Sequence, residues 1–336
     1  MIGYIILRVI LGIITLLGIL FVNFCLLNIL QVNPLNSTMA NLAYSNSSVI
    51  HSSSFSPYQF QNLLLEHFNL QAPLLTRFYT MAYNYLHFNL GTSFTYNQDV
   101  LTIILNKLPV SLSLGFFSTL LLYIFSITLG YFKAKHHKSY GDKISNILLL
   151  CIYLIPIFLV ALVLKTLFDY ALGINMSGLV DTDFQSYSWH GKIINYLEHI
   201  SLPILSIICS MLVFNTLFHK GIFQQEMQKL YYRYALWQSG STKVFWHHLL
   251  KNVLLISLAD FPAIFLGVLF GSSLFVEIIF NLNGIGLMTY NAFLTKDYPV
   301  ILGTIYVMAC FSLITRLISD VLFTVLDPRA KLGLKP

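Results

Sequence analysis

Ionisable side chains inside long apolar segments are the residues of this sequence best placed to do chemistry. The candidates for the interior of a helix bundle are Lys165, Asp260, Arg316 and Asp320. An ionisable group at the middle of a bilayer costs at least about 2.5 kcal/mol and normally faces a charged partner or a water-filled cavity. Arg316 and Asp320 are four residues apart, so they share one face of a helix within pairing distance. We therefore predict an intramembrane ion pair that stabilises the last apolar segment, with contact to a transported substrate as the alternative.

Asp260 is the candidate for a transport path through the membrane. It lies two residues before Pro262, and a proline in a membrane helix frees backbone carbonyls that need polar company. A buried, hydrogen-bonded structural carboxylate is the alternative at this position. A relay through Asp260, Asp320 and Arg316 would instead indicate a proton-coupled secondary transporter, the alternative function. Such transporters commonly contain inverted repeats, and no internal repeat is visible in the sequence.

Signatures of soluble catalysis are absent from the sequence. It contains no G-x-x-x-x-G-K-[ST] phosphate loop, no H-E-x-x-H and no G-x-S-x-G. We therefore expect no enzymatic activity, no cofactor and no ATP hydrolysis by this chain. The histidine pairs at 136–137 and 247–248 lie in basic loops, where solvation explains them better than metal binding, so no metal site is predicted. The four cysteines lie in apolar segments without C-x-x-C spacing, which argues against disulfides and thiol chemistry.

The composition indicates an all-α integral membrane protein. Hydrophobic residues make up 57% of the 336 residues, charged residues make up 10%, and the mean hydropathy is +0.73. One soluble core could not bury this much apolar surface. A membrane-spanning helix needs about 20 apolar residues. Six segments qualify: 4–30, 109–132, 144–168, 199–218, 253–279 and 299–326.

The distribution of cations predicts that both termini are cytosolic. With a cytosolic N-terminus, thirteen Lys and Arg residues fall on the cytosolic side and four on the external side, as the positive-inside rule requires. Topology therefore explains the net charge of +6 better than nucleic-acid binding does. The first apolar run exceeds the roughly 7 to 15 residues of a signal peptide, so we predict a retained helix.

Two polar inserts and one long inner loop divide the predicted chain. A serine-rich, low-charge insert follows the first helix and becomes amphipathic from about residue 57. The inner loop is too long for a simple hairpin, and its alternating aromatic and polar residues favour short helices on the membrane surface. The predicted parts are the first helix (1–30), the external insert (31–108), a five-helix core (109–326) with an external loop (169–198) and the inner loop (219–251), and a cytosolic tail (327–336).

Several short motifs follow one another in the order found in a known family. They are L-P-V-S at 108–111, H-I-S-L-P at 199–203, H-L-L-K-N at 248–252, F-N-L-N-G-I-G at 280–286 and K-D-Y-P at 296–299. Together they resemble the membrane permease subunits of the dipeptide, oligopeptide and nickel ABC importers. F-P-A-I-F at 261–265 and the serine-rich insert are most similar to the first permease of the Yej-type branch, which is associated with oligopeptides and microcin C.

The resemblance implies a fold, a function and a set of partners. The fold would be a MetI-like type I importer permease with six transmembrane helices in the bacterial inner membrane. The subunit would pair with a second permease to enclose a path for peptides, within the membrane lipid. An external solute-binding protein would deliver the peptide, and two cytosolic ABC ATPases would supply the energy.

The inner loop would then carry the coupling helix that docks on an ATPase. The family signature is written E-A-A-x-x-x-G, and alignment on Gly240 leaves only Ala235 and that glycine in agreement. The residues that the resemblance assigns to coupling are Tyr234, Ala235, Leu236, Gly240, His248 and Asn252.

A second group of residues would line the translocation path or form an external gate. Besides Asp260, the resemblance assigns Glu277, Gly284, Gly286 and Asp297 to this group. Glu277 matches the family's E-x-x-F before the glycine turn, where it would fix the loop or touch the solute-binding protein. Arg316 departs from the family, which usually has asparagine at that position.

Overall fold

The computed structural model describes residues 2–29, 72–137, 139–172, 177–239 and 249–326. Nearly all of these residues are helical, and the β structure among them is an isolated bridge between Thr92 and Asp99. The helices are α1 (Ile2–Ile29), α2 (Leu74–Leu86), α3 (Val100–Lys135), α4 (Tyr140–Tyr153), α5 (Ile157–Leu172), α6 (Trp189–Gln228), α7 (Leu230–Ser239), α8 (Leu250–Gly267), α9 (Ser273–Ile279), α10 (Ile285–Thr295) and α11 (Tyr298–Leu326).

Five helices in the described parts of the chain are long and apolar enough to cross a membrane. They are α1, α3, α6, the continuous run from α8 through a π-helical turn at Val268–Ser272 into α9, and α11. Helices α4 and α5 together form a sixth candidate. The predicted all-α architecture is therefore confirmed, with five apolar spans, or six if α4 and α5 together form one span.

The third predicted span is not one straight helix. The sequence predicts one membrane span over segment 144–168, but α4 and α5 meet at an angle of 89°. Pro156 explains the break, because it lacks a backbone N–H and disfavours helical geometry in the residue before it. Its carbonyl accepts hydrogen bonds from the Leu159 and Val160 amides at 3.0 and 3.2 Å, so the proline opens α5 at a position where its missing donor costs little.

The fourth predicted span, 199–218, is much shorter than the helix that forms. Helix α6 has 40 residues and includes the start of the predicted inner loop. The Ser188 hydroxyl accepts the Gly191 amide at 3.3 Å and caps its first turn. At the other end, Lys220 and Glu226 looked like loop residues but are buried against partners in the protein. The helix therefore continues to Gln228, ten residues beyond the predicted end of the span.

The described residues form two compact units. The larger contains 107–288 and 315–326, and the smaller contains 2–106 and 289–314. In the larger unit, a main core joins α3, α5, α6 and α9, with Leu114, Ile207 and Phe280 among its buried members. A second cluster of five residues, Ala134, Ile222, Phe223, Leu249 and Val253, joins α3, α6 and the start of α8.

Aromatic contacts and a tight loop organise the smaller unit. The ring of Tyr85 in α2 packs edge-on against that of Tyr306 in α11, with centroids 5.2 Å apart. Phe78, also in α2, packs against Phe21 and Phe24 of α1. Of the amphipathic part predicted from residue 57, α2 is the helix that the structure describes, and residues 30–71 lie outside the described chain.

Candidate functional site

The short helix α7 presents three large apolar side chains on its surface. Leu230, Tyr234 and Trp237 are 82%, 71% and 91% exposed, and their spacing of four and three residues places them on one face of the helix. We call these three residues the α7 stripe. Ala235 and Leu236, which the resemblance grouped with Tyr234, are half-buried. The exposed surface of α7 therefore extends to both sides of the predicted motif and includes a tryptophan that the motif did not single out.

Glu226, near the end of α6, ties α7 to the rest of the larger unit. Its carboxylate accepts hydrogen bonds from the Tyr231 hydroxyl at 2.5 Å and from the Asn252 amide at 3.2 Å, and it forms an ion pair with Lys229. The Asn252 amide also donates to the Tyr231 hydroxyl at 3.0 Å. These four residues are the Glu226 junction. They come from α6, the link to α7, α7 itself and α8, so the junction fixes where the helix that carries the stripe leaves the bundle.

The junction partly accounts for the predicted coupling residues. Asn252 was assigned from the H-x-x-x-N motif, and the structure places it in the junction. Glu226 is not among the predicted site residues, because hydropathy places it in the predicted inner loop. Its spacing from His219, Ile222 and Phe223, all buried on the same face of α6, is the sequence signal that could have found it. Gly240 and His248 lie outside the described residues.

A second buried group of charges joins three helices of the larger unit. The Asp142 carboxylate accepts two hydrogen bonds from the Lys220 amine, at 2.7 and 2.8 Å, and lies 3.3 Å from the Lys133 amine. The Ser139 hydroxyl accepts the Asp142 amide at 3.1 Å and caps α4. These contacts fix the start of α4 between α3 and α6, so the buried lysines are explained as partners of one carboxylate.

Asp260 lies next to a polar strip inside the larger unit. His219 and Ser257 are in hydrogen-bond contact, with Nε2 and Oγ 3.0 Å apart, and the Tyr123 hydroxyl donates to the Ser257 carbonyl at 3.2 Å. Asp260 is half-buried one turn beyond Ser257 and interacts electrostatically with Tyr123 and His219. His219, Ser257 and Tyr123 form this polar strip and give Asp260 the polar surroundings expected near Pro262. Contact of Asp260 with a transported solute stays a prediction.

Glu277 anchors the glycine turn, which comprises residues 280–286. The Ser111 hydroxyl donates to its carboxylate at 2.7 Å, and the Leu287 amide donates at 2.9 Å. The Ser111 hydroxyl in turn accepts the Ile285 amide at 2.8 Å. These amides belong to the first turn of α10, where a carboxylate is electrostatically favoured. Glu277 is completely buried, so it anchors this turn from inside the protein.

Two positions of the turn, Gly284 and Gly286, require glycine because neighbouring atoms approach them too closely for a Cβ atom. A Cβ atom at Gly284 would lie 2.5 Å from the nearer carboxylate oxygen of Glu277. At Gly286 it would lie 2.8 Å from that carboxylate and 2.9 Å from the Leu274 Cα, which is backbone and cannot swing away. The predicted group of Glu277, Gly284 and Gly286 is therefore brought together in space.

Asp297 plays a similar part in the smaller unit. Its carboxylate accepts the Ser93 hydroxyl at 2.5 Å and the amides of Phe94 and Thr95 at 3.2 and 3.0 Å. Asp297 is completely buried. The carboxylate thus holds the loop before α3 against the start of α11, and direct contact of Asp297 with a solute stays a prediction.

Arg316 and Asp320 lie one turn apart on α11, as their spacing predicted. Arg316 is exposed and Asp320 is half-buried. Their pairing stays a prediction.

Comparison with known proteins places this arrangement in a family. Residues 126–332 match the family described as the binding-protein-dependent transport system inner membrane component. The chain is 33% identical, over 97% of its length and 98% of the relative's, to the inner membrane ABC transporter permease protein YejB of Escherichia coli O157:H7. The chain belongs to this family of importer permeases. It is therefore a multi-pass inner membrane subunit of an ABC importer with a MetI-like fold.

Other relatives support the same family and its branches. The permease is 36% identical, over 79% of its length and 74% of the relative's, to the peptidoglycan transport system permease protein YejB of Agrobacterium fabrum. It is 26% identical, over 81% of its length and 78% of the relative's, to the nickel import system permease protein NikB of Staphylococcus aureus strain RF122. The predicted resemblance to the Yej-type branch is confirmed.

Proposed function

We propose that this permease forms half of the translocation path of an ATP-driven peptide importer. A second, similar permease would complete the path, two cytosolic ATPases would drive it, and an external solute-binding protein would deliver the peptide. Peptides are favoured over nickel because the Yej-type relatives are more similar to the chain than the nickel permeases are. The name of the Agrobacterium relative makes peptide-bearing cell-wall fragments a second class of substrate to test.

The α7 stripe, held by the Glu226 junction, is the observation that carries the coupling mechanism. Three exposed apolar side chains on a ten-residue helix are what a protein-binding groove can accept, and aromatic residues at the centre of such an interface commonly dominate binding energy. The helix leaves α6 at a buried carboxylate, so a force on the stripe passes directly into a span of the larger unit. Closure of the ATPases would thereby bias the helix bundle between two states.

The orientation follows from the same assignment. Both termini are cytosolic in this proposal, and α7 lies on the cytosolic side with the cation-rich loops. Glu277, Gly284, Gly286 and Asp297 then fix turns at the external face, where they shape the gate. Asp260, beside its polar strip, is the residue proposed to face the translocation path.

The test removes the tryptophan of the stripe in the assembled importer. Truncation of a central interface tryptophan costs about 2 kcal/mol or more, which is roughly 30-fold in affinity. We expect Trp237→Ala to weaken ATPase association by that order and to abolish peptide-stimulated ATP hydrolysis. Trp189→Ala is the matched control, because Trp189 is equally an exposed tryptophan but lies at the opposite end of α6. Unchanged association and hydrolysis in Trp237→Ala would contradict the coupling assignment.

The energy source and the substrate are tested separately in proteoliposomes. Peptide uptake should require ATP on the ATPase side and the binding protein on the other. Uptake driven by a proton gradient without ATP would instead favour the secondary-transporter alternative. Uptake of nickel without competition by peptides would overturn the proposed substrate class and leave the coupling mechanism intact.

A further inference from the structure

Helix α2 carries an exposed stripe that neither coupling nor the proposed gate uses. Leu75, Tyr79 and Tyr83 are 83%, 70% and 54% exposed, and their spacing of four residues places them on one face of the helix. The rings of Tyr79 and Tyr83 stack, with centroids 6.4 Å apart. The Tyr83 ring lies 4.3 Å from that of His87. This α2 stripe is therefore apolar at one end and increasingly polar toward the other.

The packing of α2 fixes its depth relative to a membrane span. The ring of Phe78 lies 5.4 Å from that of Phe24 and 5.9 Å from that of Phe21. The apolar span of α1 extends over Ile6–Leu26. At a rise of 1.5 Å per residue, Phe24 and Phe21 lie about 3 and 8 Å inside the end of that span. Phe78 therefore lies at the boundary between the hydrocarbon core and the headgroups.

A second contact gives the same depth from another span. Tyr85 and Phe88 pack against Tyr306 of α11, at 5.2 and 6.1 Å between ring centroids. Tyr306 lies about 12 Å from the start of α11 at Tyr298. Helix α11 has 29 residues, so at about 43 Å it is longer than the hydrocarbon core of about 30 Å. Both spans thus place α2 within the membrane boundary and not above it.

The α2 stripe is also continuous with a surface of α1 that faces out of the protein. Ile14, Leu17 and Phe21 are exposed along one side of α1. Phe21 remains exposed although its ring packs against Phe78, so it belongs to both surfaces. The exposed side of the span therefore passes without a break onto α2.

We propose that the α2 stripe inserts into the boundary between the acyl chains and the headgroups of the bilayer and anchors the smaller unit there. Tyrosine suits this location because its ring prefers the apolar side and its hydroxyl the wet side. The sequence of α2 has one charged residue, the cation Arg77, and no carboxylate, a combination compatible with lipid phosphates. A water-soluble partner would need to displace lipid to reach a stripe at this depth.

Depth measurements in the complete importer, held in lipid nanodiscs, test the proposal. A spin label is placed at Tyr79→Cys after the four native cysteines are replaced by serine. Its collision rates with oxygen, which dissolves in the acyl region, and with a water-soluble nickel chelate are then compared. Tyr96→Cys is the control, because Tyr96 is exposed in the loop that Asp297 holds at the start of α11. We expect an oxygen-to-chelate ratio at position 79 at least about twofold higher than at position 96.

A second measurement avoids replacement of the cysteines. Leu75→Trp and Tyr96→Trp are compared for fluorescence quenching by lipids brominated near the headgroup, each after subtraction of the parent signal. Stronger quenching at position 75 supports lipid contact. Chelate access at position 79 equal to that at 96 would overturn the proposal, as would low access of both reagents, which indicates cover by protein. A loss of oxygen access when the solute-binding protein is added would assign the stripe to that protein instead.

Discussion

Two buried carboxylates of the larger unit, Glu277 and Glu226, are held in contrasting ways. Glu277 is completely buried, and its donors include the Ser111 hydroxyl and the Leu287 backbone amide. Glu226 is 3% exposed, but its partners are a lysine whose side chain is 48% exposed, a tyrosine and an asparagine. The first carboxylate is held by backbone and by close glycines. The second is held by side chains from the link before α7, from α7 and from α8.

The two sites lie at different levels along α3, Glu277 beside its first half and the Glu226 junction near its C-terminal end. Ser111 donates to Glu277, and Ala134 belongs to the cluster beside the Glu226 junction, which separates them by about 35 Å along the helix. This difference suggests different mechanical roles for the glycine turn and the Glu226 junction within the larger unit. We propose that the glycine turn is a fixed point and that the junction is a joint, whose side chains exchange partners while α7 moves. Substitutions at the turn should therefore reduce stability, and substitutions at the junction should reduce coupling.

Glu277→Ala should cause the largest loss of stability. It removes the acceptor for the Ser111 hydroxyl and the Leu287 amide in a fully buried site, and each buried group left without a partner costs about 1 to 3 kcal/mol. We expect a total loss of about 3 kcal/mol or more, measured from the midpoint of thermal unfolding in nanodiscs. Glu277→Gln keeps the shape and part of the bonding, so it should lose clearly less. Equal stability of the alanine variant and the wild type would contradict the anchoring role of Glu277.

Gly286→Ala should follow, through steric overlap. The added Cβ would lie 2.9 Å from the Leu274 Cα, and overpacking of this kind costs about 1 to 3 kcal/mol. Gly221→Ala is the matched control, because Gly221 is also helical and a Cβ there meets nothing within 4 Å. The control should be neutral or slightly stabilising. Equal losses in the two variants would indicate that the turn is no tighter than an ordinary helix.

The glycine turn was much easier to predict from the sequence than the junction. Its F-N-L-N-G-I-G motif and the spacing of Glu277 identified a tight turn, and the structure supplies the contacts that require both glycines. Glu226 belongs to no such motif. The helical spacing of the buried residues before it indicates that it is buried but does not identify its partners, one of which, Asn252, lies 26 residues away on another helix. The same limit applies to the buried Lys133 and Lys220. The distribution of charges assigns both to loops, and their shared partner Asp142 is apparent only in the structure.

Helix ends were predicted less well than helix existence. Each of the six predicted apolar segments overlaps one of the five apolar helices or the bent pair of α4 and α5, because the hydropathy of the sequence reports such segments directly. The excess length of α6 depends on pairing of its polar residues with distant side chains, which hydropathy does not report. The exposed face of α7 likewise depends on which side of the helix packs against α6 and α8. The family motif therefore includes the exposed Tyr234 but gives no reason to select the exposed Trp237.

Glu226→Gln should separate coupling from stability. The amide keeps an oxygen that accepts from Tyr231 or Asn252, so the loss of stability should be about 1 kcal/mol. The attachment of α7 weakens nonetheless, because the amide also presents a donor to Lys229. We expect peptide-stimulated ATP hydrolysis to fall several-fold while basal hydrolysis and assembly are kept. The measurement is the ratio of stimulated to basal rates, compared with that of Glu277→Gln. If the ratio of stimulated to basal hydrolysis is lower in Glu277→Gln than in Glu226→Gln, the roles proposed for the glycine turn and the junction are reversed.

Lys229→Gln should have the smallest effect and shows how much of the junction is electrostatic. The Lys229 side chain is half-exposed, and ion pairs with an exposed partner contribute about 0 to 1 kcal/mol because water and salt screen them. We expect a slight reduction of the stimulated-to-basal ratio at low salt that disappears when the ionic strength is raised toward 1 M, where the Debye length is about 3 Å. Lys251→Gln is the control, an exposed lysine on α8 outside the junction. A reduction that persists at high salt would mean that Lys229 holds Glu226 by a directed hydrogen bond, and the junction would then resemble the rigid glycine turn more closely than a movable joint.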